Sequence, residues 1–272
     1  MTAPVQLTDT KALARFRARA TAQGMFLQES AADEIQDRLG LVNRSFKSPA
    51  VVTPFPDVWA NRLKNAKIVS DSETLELNAA DHDLVIHAAS LHWSNDPVGQ
   101  LIQCRRSLRP DGLMIAATLG GQTLDELRRV LGQSEISVTG GLSPRIVPMG
   151  EIRDLGALLQ RAGFALPVAD SVPLNVEYRD MWHLIHDLRQ MGETNALNTR
   201  LRRIPPRALF QEAARLYQST FSTENQRVNA SFELVFLTGW APDPSQQQPL
   251  RPGSAKQRLA DALAVPETPL PD

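Results

Sequence analysis

Cysteine is nearly absent from this sequence. Cys104 stands alone, which excludes an intramolecular disulfide and a cysteine-based zinc cluster. Neither sign of charge is in excess, with 29 Lys and Arg against 30 Asp and Glu, so no global pull toward nucleic acid or an anionic membrane is expected. Long apolar runs are missing too: none approaches the roughly 18 residues that cross a bilayer. The N-terminal stretch carries Lys11, Arg15, Arg17 and Arg19 but no apolar core and no cleavage site, so it does not read as a secretory signal. It leaves room for an amphipathic, Arg-rich transit segment, against which Asp9 argues. The expected location is the cytoplasm, or the mitochondrial matrix for a eukaryotic source. No internal repeat is visible.

What is present fits an α/β protein. The chain of 272 residues is long enough for one large domain with a cap and tails. Residues 1–47 read as a helical extension of two helices, the first capped by Thr8 or Asp9, the second with Ile35, Leu39 and Val42 at helical spacing. Residues 48–241 then alternate near-continuous apolar strands with amphipathic helices, the pattern of a parallel sheet covered on both faces. The strands are "SPAVVT", "KIVSD", "DLVIHAAS" and "LMIAATLG"; the helices between them include "DVWANRLKNA" and "DPVGQLIQCRRSL", the latter capped by Asp96 with Pro97 at its first position. "RPDG" reads as a turn, Asp81-His82-Asp83 as a solvated turn, and Gly163 as a helix C-cap. "ALPVADSVPLNVEY" carries Pro167 and Pro173 and is expected toward a sheet edge. Residues 134–150 and 176–222 read as inserted or cap elements, and 242–272, rich in Pro, Gln and Ser, as a flexible tail.

One absence falls at an informative place. In an α/β nucleotide-binding domain the turn after the first strand is where glycines sit, because they let the backbone approach a ligand without a Cβ in the way. Here that turn reads Thr53-Pro54-Phe55-Pro56. The prolines fix φ and remove two N–H donors, and Phe55 adds bulk.

The block "DLVIHAASLHWSNDPVGQLIQCRRSLRPDGLMIAATLGGQTLDELR" resembles the class I S-adenosylmethionine-dependent methyltransferases. It is most similar to the branch of methyltransferase-like assembly factors of respiratory complex I. The likeness continues through "FLQESAADEIQDRLGLVNRSF", "GGLSPRIVPMGEIRDLGALLQRAGF", "MWHLIHDLRQMGETN" and "ASFELVFLTGW", about residues 10 to 255. The malonyl-carrier-protein methyltransferases are a more distant likeness. The resemblance implies a Rossmann-like, mostly parallel sheet, seven-stranded in the family, with a terminal antiparallel strand and S-adenosylmethionine over the carboxyl ends of the central strands. It implies a protein substrate or assembly partner, such as a complex I subunit, whose arginine the eukaryotic members are described as hydroxylating. The alternative is a scaffold or chaperone that keeps the fold without the cofactor.

The chain departs from the family beyond its glycine-free turn. One strand-helix unit is missing between "SPAVVT" and "KIVSDSETLEL". In the preferred alignment "KIVSD" is the family's third strand, with Asp71 on the adenine side and the ribose carboxylate lost; in the other it is the second strand and Asp71 is the ribose acid. On the likeness, the cofactor-side residues are Thr53, Asp71, His87, Leu91, His92 and Trp93. The substrate- or partner-side residues are Asn95, Gly120, Gly121, Gly141, Ser143, Glu193 and Asn195. The tail stretch Arg251–Ala255 resembles a short family motif. His183 and His186 share a helix face but lack a carboxylate at ligating spacing, so no metal site is expected.

Overall fold

The structure, a computed structural model, describes residues 6–247 and Asp261. Contacts gather Met1–Pro242 into one compact unit and Asp243–Asp272 into another. Within the second, Asp243 closes a local turn by accepting from Ser245 N–H at 2.8 Å. The Arg251–Ala255 motif and most of the expected tail lie outside the described residues.

The first unit opens with α1 (Thr10–Arg17) and α2 (Phe26–Leu41). Asp9 caps α1 by accepting from Ala12 N–H at 3.0 Å. The sheet follows: β1 (Pro49–Val52), β2 (Lys67–Val69), β3 (His82–His87), β4 (Leu108–Leu119), β5 (Ala165–Tyr178) and β6 (Val228–Trp240), in the order β2-β1-β3-β4-β6-β5. The first four strands pair in parallel, and β6 runs antiparallel between β4 and β5. This is the mostly parallel sheet with a terminal antiparallel strand that the resemblance implies, with six strands among the described residues. β5, with its two prolines, takes the edge, where a missing N–H breaks no ladder.

Alternation along the buried strands splits the core into two layers. Val51, Leu84, Ile86, Leu113 and Ile115 face one side, packed under α2, α5 (Asp125–Thr139), α7 (Met181–Gln190) and α8 (Arg207–Phe221). Ala50, Val52, Val85, Met114 and Ala116 face the other, under α4 (Pro97–Ser107) and α6 (Ile152–Ala162). α4 starts as expected, with Asp96 accepting from Gly99 N–H at 2.8 Å. α6 ends at Gly163, whose φ of 80° is the left-handed conformation that glycine favours.

Four sequence expectations need correction. "DVWANRLKNA" forms only the four-residue α3 (Pro56–Trp59) before turns take over; Asn65 has φ 58°, and Arg62 is drawn to Glu29, Asp33 and Gln36 on α2. "RPDG" is a bulge within β4, since His82 pairs with Leu108 and Leu84 with Leu113, with Asp111 at φ 60°. His82 is no solvated turn residue: it begins β3, 3% exposed, with Nδ1 3.1 Å from Ser48 O. Finally, β2 pairs directly with β1, Val51 opposite Ile68, which is the second strand's place in the family rather than the third's. Parallel pairing needs only adjacency and a right-handed crossover, and the short α3 link supplies no intervening strand.

Candidate functional site

The carboxyl ends of β1, β2 and β3 open onto a cleft of about 830 Å³. α1 forms its opposite wall through Thr10, Leu13 and Arg17; Pro54, Asp71 and His87 line the sheet side. Asp71, two residues past β2, accepts from Arg17 Nη1 at 2.9 and 3.2 Å. His87 ends β3 and is 1% exposed, its Nε2 3.4 Å from Gln100 Oε1. Burial holds its pKa below the ordinary histidine value, against the opposing pull of Asp71. His87 Nδ1 and Ser90 Oγ are buried without a partner among the described residues. Gln100 is oriented by Ser72 O, to which its Nε2 donates at 2.6 Å. Thr53 sits beside the cleft but turns inward, its Oγ1 accepting from Phe55 N–H at 3.1 Å. Leu91 packs in the core layer under α4 rather than in the cleft.

His92 and Trp93 share a 3-10 turn, Leu91–Trp93, and Trp93 is a partition. On one side lies the cleft; on the other lies a chamber of about 220 Å³ that Trp93 also borders. Glu193 holds the partition in place: its Oε2 accepts from Trp93 Nε1 at 2.7 Å and lies 3.3 Å from His92 Nε2. Burial by itself would raise the Glu193 pKa, but His92, Arg17 and the Trp93 N–H hold the carboxyl below its ordinary range. The chamber walls are mostly apolar, among them Leu27, Leu119, Leu127, Phe210 and Phe232.

The placement of Glu193 is written in local sequence. α7 ends in a Schellman motif: Gly192, at φ 79°, donates to Arg189 O at 3.1 Å, and Glu193 N–H to Leu188 O at 2.9 Å. The preceding turn at the partition is held by the N-terminal extension. Ala89 has φ 45°, a strained value for a residue with a Cβ, and Gln28 of α2 donates to its carbonyl at 3.2 Å.

The other candidates divide. Asn95 borders the cleft and latches the N-terminal segment, accepting from Thr8 N–H at 2.8 Å and donating to Thr8 O at 3.2 Å. Asn195 borders the chamber and donates to Pro144 O at 2.9 Å. Ser143 lies outside it, donating to Glu135 Oε1 at 2.6 Å, and Glu135 also holds Arg145 at 2.7 Å. Gly141 sits on an exposed loop. Gly120 and Gly121 border neither cavity: a Cβ at Gly120 would run into the Glu233 side chain, and one at Gly121 would come within 2.5 Å of Glu151 Oε1. At both glycines the space a Cβ would take is filled by a neighbouring side chain. His183 Nδ1 lies 2.8 Å from Asp180, the residue that caps α7. Cys104 is a packing residue whose thiol is pushed up to about 12 by burial.

Arg17, Gln28, Ser90 and Gln100 were not singled out from sequence. Gln100 had a signal: it lies four residues before Cys104, on the inward face of an amphipathic helix, where a polar side chain needs a partner. Arg17 and Gln28 had none, because their partners Asp71 and Ala89 are 54 and 61 residues away.

The cleft stands where the resemblance implies a nucleotide cofactor, and its residues fit one poorly. No glycine lines it among the described residues, Pro54 has no N–H to offer, and Asp71, which lines it together with Glu73, is paired with Arg17. The orphaned His87 Nδ1 and Ser90 Oγ mark the cleft as polar, without supplying that cradle.

A methyltransferase domain model matches residues 51–116. The chain is 36% identical over 218 residues to the mitochondrial arginine-hydroxylase NDUFAF5 of Danio rerio, covering 77% of this chain and 67% of that protein. It is 37% identical over 207 residues to NDUFAF5 of Homo sapiens, covering 73% of this chain and 60% of that protein. It is 33% identical over 175 residues to the malonyl-[acyl-carrier protein] O-methyltransferase of Methylovorus sp. (strain MP688), covering 64% and 56% respectively. Against the human protein, the chain thus spans less than two thirds of its relative's length.

Proposed function

Because this chain belongs to the methyltransferase-like family of the NDUFAF5 arginine hydroxylases, we propose that it acts on an arginine side chain of a protein during assembly of respiratory complex I. The observation that carries this reading is the chamber beside Trp93. It is mostly apolar, about the size of one long side chain, and is bordered by Glu193. Such a chamber excludes water from an inserted side chain and holds it against a rigid wall, which is the positioning that a modification reaction requires.

A second reading has its own support. The glycine-free turn and the Arg17–Asp71 pair favour a protein that keeps the fold and partner surface while binding S-adenosylmethionine weakly or not at all. Charge-assisted hydrogen bonds contribute about 1.5–3 kcal/mol each, so losing the ribose contact and the backbone cradle costs several orders of magnitude in affinity. Isothermal titration of the purified protein decides between them: micromolar binding of S-adenosylmethionine removes the scaffold reading. Deleting the gene tests the assembly role common to both. Complex I is expected to accumulate as incomplete subassemblies, and normal assembly without a paralogue would refute it.

A further inference from the structure

Both hydrogen bonds that reach the Glu193 carboxylate among the described residues involve Oε2, which meets Trp93 and His92. Oε1 carries neither, and Glu193 borders the chamber. Trp93 and His92 stabilise the carboxylate from the Oε2 side, which leaves Oε1 as an anionic acceptor for a charge-assisted hydrogen bond from a cationic donor in the chamber. The cations around it are otherwise engaged or peripheral. Arg17 is bonded to Asp71; Arg145 and Arg189 both border the chamber, Arg145 paired with Glu135 and Arg189 on the exposed side of α7. His92 approaches only the other oxygen.

We propose that Glu193 is the specificity residue for arginine: the chamber takes a substrate arginine, its stem along Leu119, Leu127 and Phe232 and its guanidinium on Glu193 Oε1. A guanidinium suits this place better than an ammonium. It is weakly hydrated, always charged, planar, and stacks on aromatic faces, and Trp93 and Phe210 border the same space. Phe210 already has such a neighbour, with Arg145 Cζ 5.8 Å from its ring centroid. The identity of the substrate residue rests on the proposed arginine-modifying function; the assignment of Glu193 rests on the chamber.

The test uses the full chain and two small probes, N-acetyl-arginine methylamide and its neutral near-isostere N-acetyl-citrulline methylamide. The readout is the indole N–H resonance of Trp93, assigned with Trp93→Phe. The arginine probe is expected to give a saturable shift, with the citrulline probe binding at least about tenfold more weakly. Glu193→Gln preserves an acceptor for Trp93 and removes the charge; it should weaken the arginine probe about ten- to a hundredfold and leave citrulline unchanged. Equal binding of the two probes, an unchanged Glu193→Gln, or no saturable shift with arginine overturns the proposal. If Glu193→Gln fails to fold, the contrast between probes on the wild-type chain decides alone. Discrimination that persists while gene deletion leaves complex I assembly normal would sink the assembly function and keep the site. Lost discrimination alongside impaired assembly would do the reverse.

Discussion

Arg17 and Asp71 are each 13% exposed as side chains, so their contact, one Arg17 nitrogen to both Asp71 oxygens, is sheltered from solvent on both sides. Arg17→Ala should cost about 1–3 kcal/mol in urea denaturation, because it leaves a part-buried carboxylate unpaired. The same variant frees Asp71 toward the cleft, so S-adenosylmethionine should bind more tightly to it than to wild type in titration calorimetry; equal affinity would show that the pair does not guard the cleft. His87 makes a prediction about pH. Its folded pKa lies below the 6.5 of an unperturbed histidine, since burial disfavours the charged ring. Below about pH 6.5 the unfolded chain takes up a proton that the folded protein resists, so stability is intact above that pH and declines as pH falls toward the folded value. The thermal midpoint should therefore fall less between pH 7.5 and 5.5 in His87→Gln than in wild type, and parallel slopes would contradict the assignment.

At the scale of elements, helix ends set the site. Gly192 both terminates α7 and lies against α1: an added Cβ would sit 3.0 Å from Arg17 Cα, at a φ of 79°. Gly192→Ala should cost about 1–2 kcal/mol from the left-handed backbone alone, with more from that contact, and it should shift the Trp93 indole resonance because Glu193 moves with the turn. Denaturation and a single NMR spectrum check both. Helix starts and stops of this kind were readable from sequence. Asp9, Asp96 and Gly163 are capping residues whose partners lie within a few positions along the chain. The stretch after β1 was not readable, because Arg62 answers to three acceptors on α2, 26 to 33 residues away, rather than to helical spacing. Local pattern predicted a helix, and a tertiary charge cluster drew the chain into turns.

Across the whole molecule, the N-terminal extension is part of the core. Ile35 is fully buried in the same cluster as Val51, Ile86 and Phe236, and Arg38 stacks over Phe236 at 4.2 Å while bonding Asp170 of β5. Ile35→Ala should lower stability by about 2–5 kcal/mol and do so in a single transition. A separate early transition would mean that the extension folds apart from the sheet. By itself, the sequence determined the α/β class, the parallel strands, the proline-bearing edge and the absent glycine cradle, because strand period, helix period and backbone stereochemistry are properties of neighbouring residues. It also placed Trp93 and Glu193 among the candidates, through resemblance and not through spacing. Only the tertiary structure decided that β2 lies beside β1, that Gly120 and Gly121 accommodate protein, and that Arg17 meets Asp71. It alone brought Glu193 onto Trp93 across 100 residues of chain. Such contacts depend on how layers stack, and no local pattern encodes which distant side chain arrives at a given carboxylate.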